Sequence, residues 1–447
     1  MQTELFENVS VRRAYFRLAV PVVLAMVVSV VYNIVDAWFI ALTGDTTLVA
    51  GVQVCTPLFV LMIAVGDIWG LGGASLMSRL LGRKANADAS AVSAFCFYMA
   101  AASGAVFMAL LLCFQAPILR LLGADAETMP YASAYYFYIA LGAPFIILSM
   151  TPNNQLRTEG LATYGMIGAI MGSVANIILD PIFIFGLRMG AGGAALATML
   201  SNVLTDAFYV AVICRKCRVV SVSPRLFRIN GGVLRDVFAI GIPAAVTNVM
   251  NSLSMAVTNR FLLPYGNQHI AALGVASRVN MISSMVIIGF AFGGQPLVGY
   301  SFGAGNKKRL RETLRFAYGF EVALALCLAA LLSLLAPQLI RAFIDDPAII
   351  AHGSAMLRCL QAGAAFMGIV LVSTCYFQST GQGGAALTLS VCRQGAIFMA
   401  VMFVASRLLG YMGILLAQAI SDGLTALLAM GLMWRRRADF FYSNHQN

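Results

Sequence analysis

Charge is scarce in this chain. Only 11% of its 447 residues are Asp, Glu, Lys or Arg, against 60% hydrophobic, whereas a water-facing surface needs roughly a quarter charged residues. A soluble globular protein is excluded, and an integral membrane protein remains. Acids are rarer than bases, 18 against 29, for a net charge of +11. The bases lie in short loops beside apolar runs, where orientation and anionic lipid explain them, so nucleic acid is not an expected partner. Histidine numbers three, and the one CxxC, Cys214 to Cys217, has neither a second pair nor a histidine nearby. A metal site of the zinc type is therefore not expected, and the remaining cysteines read as small apolar fillers. The glycine-rich Phe302-Gly303-Ala304-Gly305-Asn306-Lys307 lacks the spacing of a phosphate loop, so no ATP engine is visible. With no nucleophile motif or cofactor loop either, an enzyme is not expected. The first apolar run is too long for a cleavable signal, and Trp38 to Gly44 offers no small-residue cleavage site.

Apolar length, by contrast, is abundant. Crossing a hydrocarbon layer of about 30 Å takes about 20 residues, and such runs recur twelve times, near 14–41, 49–77, 91–113, 131–156, 164–186, 191–213, 237–262, 270–298, 313–335, 351–377, 384–407 and 411–433. Lysine and arginine collect in the N-terminus and the alternate loops that share its side, among them Arg12, Arg79, Lys84, Arg218, Lys307, Arg315, Arg435, Arg436 and Arg437. The opposite loops hold only Arg120, Arg188, Arg341 and Arg407. Cytoplasmic loops carry the basic excess, which predicts that both termini are cytoplasmic.

Sliding the chain by about 221 residues superimposes its halves. Pro21 falls on Pro243, Gly72-Gly73 on Gly293-Gly294, Gly160 on Gly381, and Gly190 and Gly193 on Gly410 and Gly413. The expected architecture is all-α: twelve transmembrane helices in two pseudo-symmetric six-helix bundles, related in parallel because both enter from the cytoplasm. The expected domains are an N-terminal lobe over 1–215, a cytoplasmic linker over 216–236, a C-terminal lobe over 237–434 and a cytoplasmic tail over 435–447. Two such bundles suit a secondary transporter that opens alternately to each side of the membrane.

Within this apolar background, Asp36 and Asp180 are out of place. A carboxylate at the bilayer centre costs about 2.5–3.5 kcal/mol in insertion measurements, so it is kept mainly where it binds or moves something. Ser29, Tyr32, Asn33 and Asp36 share one helical face, and so do Ser173, Asn176 and Asp180, because three- and four-residue steps stack on a helix. At about 1.5 Å rise per residue, Asp36, Asn176, Asp180 and Thr198 fall at one level in the outer half of the bilayer. Pro181 has no amide hydrogen, which frees the Ile177 carbonyl as a further oxygen. In the second half Asp36 is replaced by Thr258, Asn176 by Ala396 and Asp180 by Ala400, so ion handling is expected in the N-terminal half. One bound cation or proton relieves the repulsion of two buried carboxylates; the coupling ion is Na+ or H+, and no other cofactor is expected. Asp67, Asp206, Glu321 and Asp422 show no convergent partner and read as structural. Arg260, Arg278 and Arg393 read as neutralising helix carbonyls or touching substrate. Met26, Met150, Met250, Met255, Met281 and Met285 are candidates for an adaptable cavity wall.

The chain resembles the multidrug and toxic compound extrusion (MATE) family of the MOP superfamily over nearly its whole length. The resemblance rests on Tyr32-Asn33-Ile34-Val35-Asp36, the Gly72-Gly73 to Ser78-Arg79-Leu80-Leu81-Gly82 stretch, Asn176-Ile177-Ile178-Leu179-Asp180-Pro181-Ile182-Phe183 and Gly193-Ala194-Ala195-Leu196-Ala197-Thr198. It implies a cation-binding site at Asp36, Asn176, Asp180 and Thr198, occupied by Na+ if coupling is to sodium. It implies efflux of cationic and amphipathic small molecules in exchange for Na+ or H+, from a multi-pass position in a bacterial inner membrane, by a monomer among membrane lipid. The candidate substrate cavity comprises Met26, Tyr32, Asn33, Met150, Asn153, Asn154, Asn251, Met255, Met281 and Arg393. One branch of the family carries acids in its C-terminal lobe; this chain departs from that pattern and looks more like a MepA- or DinF-type member. The rival reading is a flippase for a lipid-linked precursor or polysaccharide, which would expect an arginine-rich cavity.

Overall fold

Inside hydrocarbon no water serves the backbone, so long apolar runs close their hydrogen bonds as helices. In the computed structural model of the protein, residues 2–228, 231–344 and 346–435 are described, and no strand occurs among them. The N-terminal spans are α1 Val11–Ala41, α2 Thr46–Gly82, α3 Asn86–Cys113, α4 Met129–Thr158, α5 Ala162–Gly186 and α6 Ala191–Lys216. The C-terminal spans are α7 Gly231–Tyr265, α8 Gln268–Gly303, α9 Lys307–Leu334, α10 as Pro347–Ala362 with Ala364–Ser379, α11 Gly383–Leu409 and α12 Tyr411–Arg435. The two pieces of α10 meet at a 42° bend. Each helix covers its expected apolar run to within a residue; the added turns, such as Lys307 to Arg311 opening α9, are charged and so invisible to hydropathy. The tail proposed over 435–447, with Arg436 and Arg437, lies outside the described residues from 436 onward.

The repeat seen in the sequence recurs in the backbone. Gly160 after α4 has φ +79° and Gly381 after α10 has φ +80°. Leu161 N–H bonds the Leu156 carbonyl and Gly160 N–H that of Arg157, while Gln382 bonds Phe377 and Gly381 bonds Gln378. Both helices thus end in the same left-handed glycine closure, a conformation that costs a side-chain-bearing residue more.

Two compact units emerge. One gathers Leu24–Asn248, the other Glu4–Val23 and the residues from Val249 onward. The division in space therefore passes through α1 and α7, a few residues after Pro21 and Pro243, instead of through the 216–236 linker. Close packing explains it: a methyl added at Gly241 would meet the Ile68 carbonyl at 2.3 Å, and one at Gly293 would meet Ala19 Cα at 2.3 Å. Small residues let these helices approach so nearly that the first half of each belongs with its neighbours. In the Leu24–Asn248 unit, α4 packs against α2, α3 and α6. The chain leaving α6 is pinned by buried Glu159, whose carboxylate accepts the backbone N–H groups of Arg218, Val219 and Val220 at 2.6, 3.2 and 3.0 Å. In the other unit α8 packs on α9 and α10, and α11 pairs with α12.

Candidate ion and substrate sites

Three helices of the Leu24–Asn248 unit bring the acids together. Asp180 and Asn176 on α5 are 0% and 1% exposed, and Asp36 on α1 is half-buried. With its amide nitrogen turned to Asp180, Asn176 donates to Asp180 Oδ2 at 2.8 Å. Its oxygen accepts from the Thr198 N–H at 3.1 Å and from the Thr198 hydroxyl at 3.2 Å. The Asp36 and Asp180 carboxyls lie within hydrogen-bonding reach of each other, and Tyr32 reaches the Thr198 hydroxyl. Asp36 Oδ1 and Asp180 Oδ1 are buried with no donor among the described residues. Facing carboxylates in a low dielectric require a proton or a cation between them. The available ligands are carboxylate, amide and hydroxyl oxygens, which suit a hard cation. No group of three or more His, Cys, Asp or Glu that could hold a metal occurs among the described residues. Just beyond Asp180 and Pro181 the helix widens into a π turn over Ile182–Gly186, a distortion common at functional positions.

Tyr135 on α4, buried near Asp36, Tyr32 and Asp180, was not singled out from the sequence. It follows Ser133-Ala134, which recurs in the second half as Ser354-Ala355, but an aromatic in a membrane helix carries no signal of its own.

A cavity of about 270 Å³ beside this cluster is lined by Ser29, Tyr32, Asn33, Met150, Asn153 and Ser173 among others. Asn154 is absent from its wall: it is buried, donating to the Met150 carbonyl at 2.7 Å and accepting from Arg157. Met26 lines neither this cavity nor the next.

The second unit has its own cavity of about 470 Å³, whose walls include Asn251, Met255, Met281 and Arg393. Eight of the ten candidate cavity residues thus line a cavity, four in each unit, and Met26 and Asn154 line neither. Met250 and Met285 line neither cavity. Arg393 sits in a π turn over Cys392–Ala396 and its Nε donates to Asp422 Oδ1 at 2.8 Å. Gln418 donates to the same oxygen at 3.0 Å. Asp422 therefore has a partner that the sequence did not reveal. So do Asp67, which accepts from Asn248 at 3.0 Å, and Glu321, 3.4 Å from the Tyr15 hydroxyl. Asp206 alone of the four has both oxygens buried without a hydrogen-bond partner among the described residues. Arg260 and Arg278 are exposed.

Comparison with known proteins agrees with the duplicated plan. The family model MatE matches residues 21–182 and again 243–403. The multidrug export protein MepA of Staphylococcus aureus (strain NCTC 8325 / PS 47) is 32% identical over 437 residues, covering 98% of this chain and 96% of that protein. MepA of Staphylococcus saprophyticus subsp. saprophyticus is 31% identical with the same coverage, 98% and 96%. A solved structure, the outward-facing conformation of a multidrug resistance MATE family transporter of the MOP superfamily, is similar with a TM-score of 0.92 at 25% identity, covering 98% of each chain. Because the family model spans both repeats and the relatives align almost end to end, this multi-pass helical chain belongs to the MatE family of membrane transporters.

Proposed function

We propose that the chain exports multiple cationic and amphipathic compounds, as an antiporter driven by Na+ or H+ through alternating access, in a bacterial inner membrane with both termini cytoplasmic. The observation that carries this reading is the convergence of Asp36 and Asp180 with Asn176, Thr198 and Tyr32. With neither ion nor substrate bound, the two carboxylates repel each other in a medium that screens poorly. A proton or sodium ion cancels that repulsion, and a cationic substrate does so as well, so the two compete for one change of charge. Competition of this kind exchanges ion for drug, since each is released only when the other takes its place. A flippase for lipid-linked pyrophosphates fits less well, because that reading expects a cavity rich in arginine and the cavity of the second unit is lined by one, Arg393.

The test is gradient-driven ethidium movement in inverted vesicles, with sodium and pH gradients imposed separately. Asp36→Asn and Asp180→Asn each lower the rate by roughly a hundredfold or more, as expected when the group carrying the coupling charge is removed. Asp67→Asn retains at least part of it. Unimpaired export in both of the first two variants defeats the proposal.

A further inference from the structure

Histidine is rare in this chain, three in 447 residues, yet two of the three meet. His269 lies in the first turn of α8 and His352 near the start of α10, and their ring centres are 4.3 Å apart with the planes at 44°. Tyr411, which opens α12, sets its ring nearly perpendicular to His269 at 5.1 Å. All three residues are half-buried. His269 Nδ1 and the Tyr411 hydroxyl are themselves buried and take no hydrogen-bond partner among the described residues. Packing of aromatic rings does not explain them, since phenylalanine would pack as well with no polar atom to satisfy. A buried polar atom left open costs free energy unless something completes it.

The place of this cluster gives it a use. His269, His352 and Tyr411 each stand one helical turn before a residue that lines the cavity of the second unit, namely Leu273, Met356 and Leu415. Residues four apart share a helical face, so the three side chains cap one end of that cavity. With both termini cytoplasmic, it is the outer end. From this geometry we infer a metal site, in which the two imidazoles hold a divalent transition-metal ion of the zinc or copper class. Imidazole nitrogen suits such ions. Two imidazoles that bind one zinc ion at about 2.0–2.1 Å per nitrogen and a near-tetrahedral angle set their ring centres about 5 Å apart, so the observed pair needs to open by less than about 1 Å. No third His, Cys, Asp or Glu joins them among the described residues, so water fills the other positions. The Tyr411 hydroxyl is placed to hydrogen-bond one such water, as outer partners do in metal sites. With two protein ligands instead of the four of structural zinc, the ion exchanges with solution. While bound, it ties α8 to α10 across the cap of the cavity.

The test uses purified full-length protein without a histidine tag, titrated in detergent with Zn2+ against a zinc-responsive fluorescent indicator. Cys214→Ser and Cys217→Ser are made throughout, so that the one CxxC pair does not compete for the ion. This parent is expected to bind one zinc ion. His269→Asn and His352→Asn are each expected to weaken binding by at least roughly tenfold, a loss that even an outer partner's removal can cause. His445→Asn, which changes the remaining histidine, leaves it unaltered. Zinc is expected to raise the melting temperature of the parent and of His445→Asn but of neither other variant, a response that ring packing alone would not produce. If a variant folds poorly, Cu2+ bound to the parent supplies an independent measurement: pulsed electron paramagnetic resonance is expected to show two coordinated imidazoles. Fewer than two there, no zinc-dependent shift in the parent, or zinc binding that persists in both His269→Asn and His352→Asn overturns the inference.

Discussion

Asn176 is placed where one amide serves two neighbours of opposite need. Its nitrogen donates to Asp180 and its oxygen accepts from Thr198, while the Thr198 hydroxyl is also approached by Tyr32. The acid is thereby tied to a chain of neutral groups whose geometry depends on the Thr198 hydroxyl. Thr198→Val keeps the shape and removes that oxygen; Tyr32→Phe removes the other end. Each is expected to lower the apparent affinity for the coupling ion by about five- to tenfold, one hydrogen bond's value, with expression and melting temperature little changed. If the hydroxyls act together, the double variant loses less than the sum of the singles, a coupling that a double-mutant cycle on vesicle transport measures. Fully additive losses would show that Tyr32 and Thr198 act separately. The stripe that leads to this site was legible in the sequence because Ser29, Tyr32, Asn33 and Asp36 recur at helical spacing, and the first three line one cavity. The Arg393–Asp422 pair was not. Spacing reports neighbours along one helix, whereas that pair joins two helices and depends on a π turn that shifts Arg393 out of regular register.

Helix hairpins set the limits on what may be changed between the sites. Gly410, with φ +57°, turns the chain from α11 into α12, and three residues on, a methyl at Gly413 would meet the Ala405 carbonyl oxygen at 1.9 Å. In the first half the matching Gly193 faces Phe183 backbone atoms at 2.8 Å. These are contacts with backbone, which cannot rotate aside. Gly413→Ala is expected to cost about 2–4 kcal/mol of stability and Gly193→Ala somewhat less. Gly431→Ala, further along α12 with nothing within 4 Å of the added methyl, is expected to be neutral or slightly stabilising, since alanine favours the helix. Thermal unfolding in detergent orders the three; equal melting temperatures for Gly413→Ala and Gly431→Ala would remove the packing argument. Helix number and extent were legible because each run of apolar residues is long and flanked by polar turns. The assignment of Glu4–Val23 to the second unit was not, because nothing in a continuous apolar run such as Val22 to Val28 marks the point at which a helix changes neighbours. The 42° bend of α10 likewise arises where Gly363 lies against Ala419 Cα, 2.8 Å from an added methyl, a contact between distant parts of the chain.

That bend decides the topology of the entire chain. If Pro347–Ala362 and Ala364–Ser379 together cross the membrane, there are twelve spans, the two ends of the chain share a side, and the loop at Leu409 and Gly410 faces away from them. If the bent pair instead enters and leaves on one side, α11 and α12 are inverted and the same loop lies on the side of the N-terminus. Charge argues for twelve: Arg83, Lys84, Lys307 and Lys308 then lie together with Arg435 on the cytoplasmic side, where short basic loops are retained during insertion. Inversion would place Arg435 outside. Single cysteines at Arg83, Lys308 and Leu409, all exposed, in a background cleared of the nine native cysteines, distinguish the two. A membrane-impermeant maleimide applied to intact cells is expected to label Leu409→Cys and leave Arg83→Cys and Lys308→Cys unlabelled, with the pattern reversed in inverted vesicles. Labelling of Leu409→Cys only from the cytoplasmic face would mean that α10 does not span. The second half would then no longer repeat the first crossing for crossing, and the parallel relation that makes an alternating transporter the natural reading of this duplicated chain would fail with it.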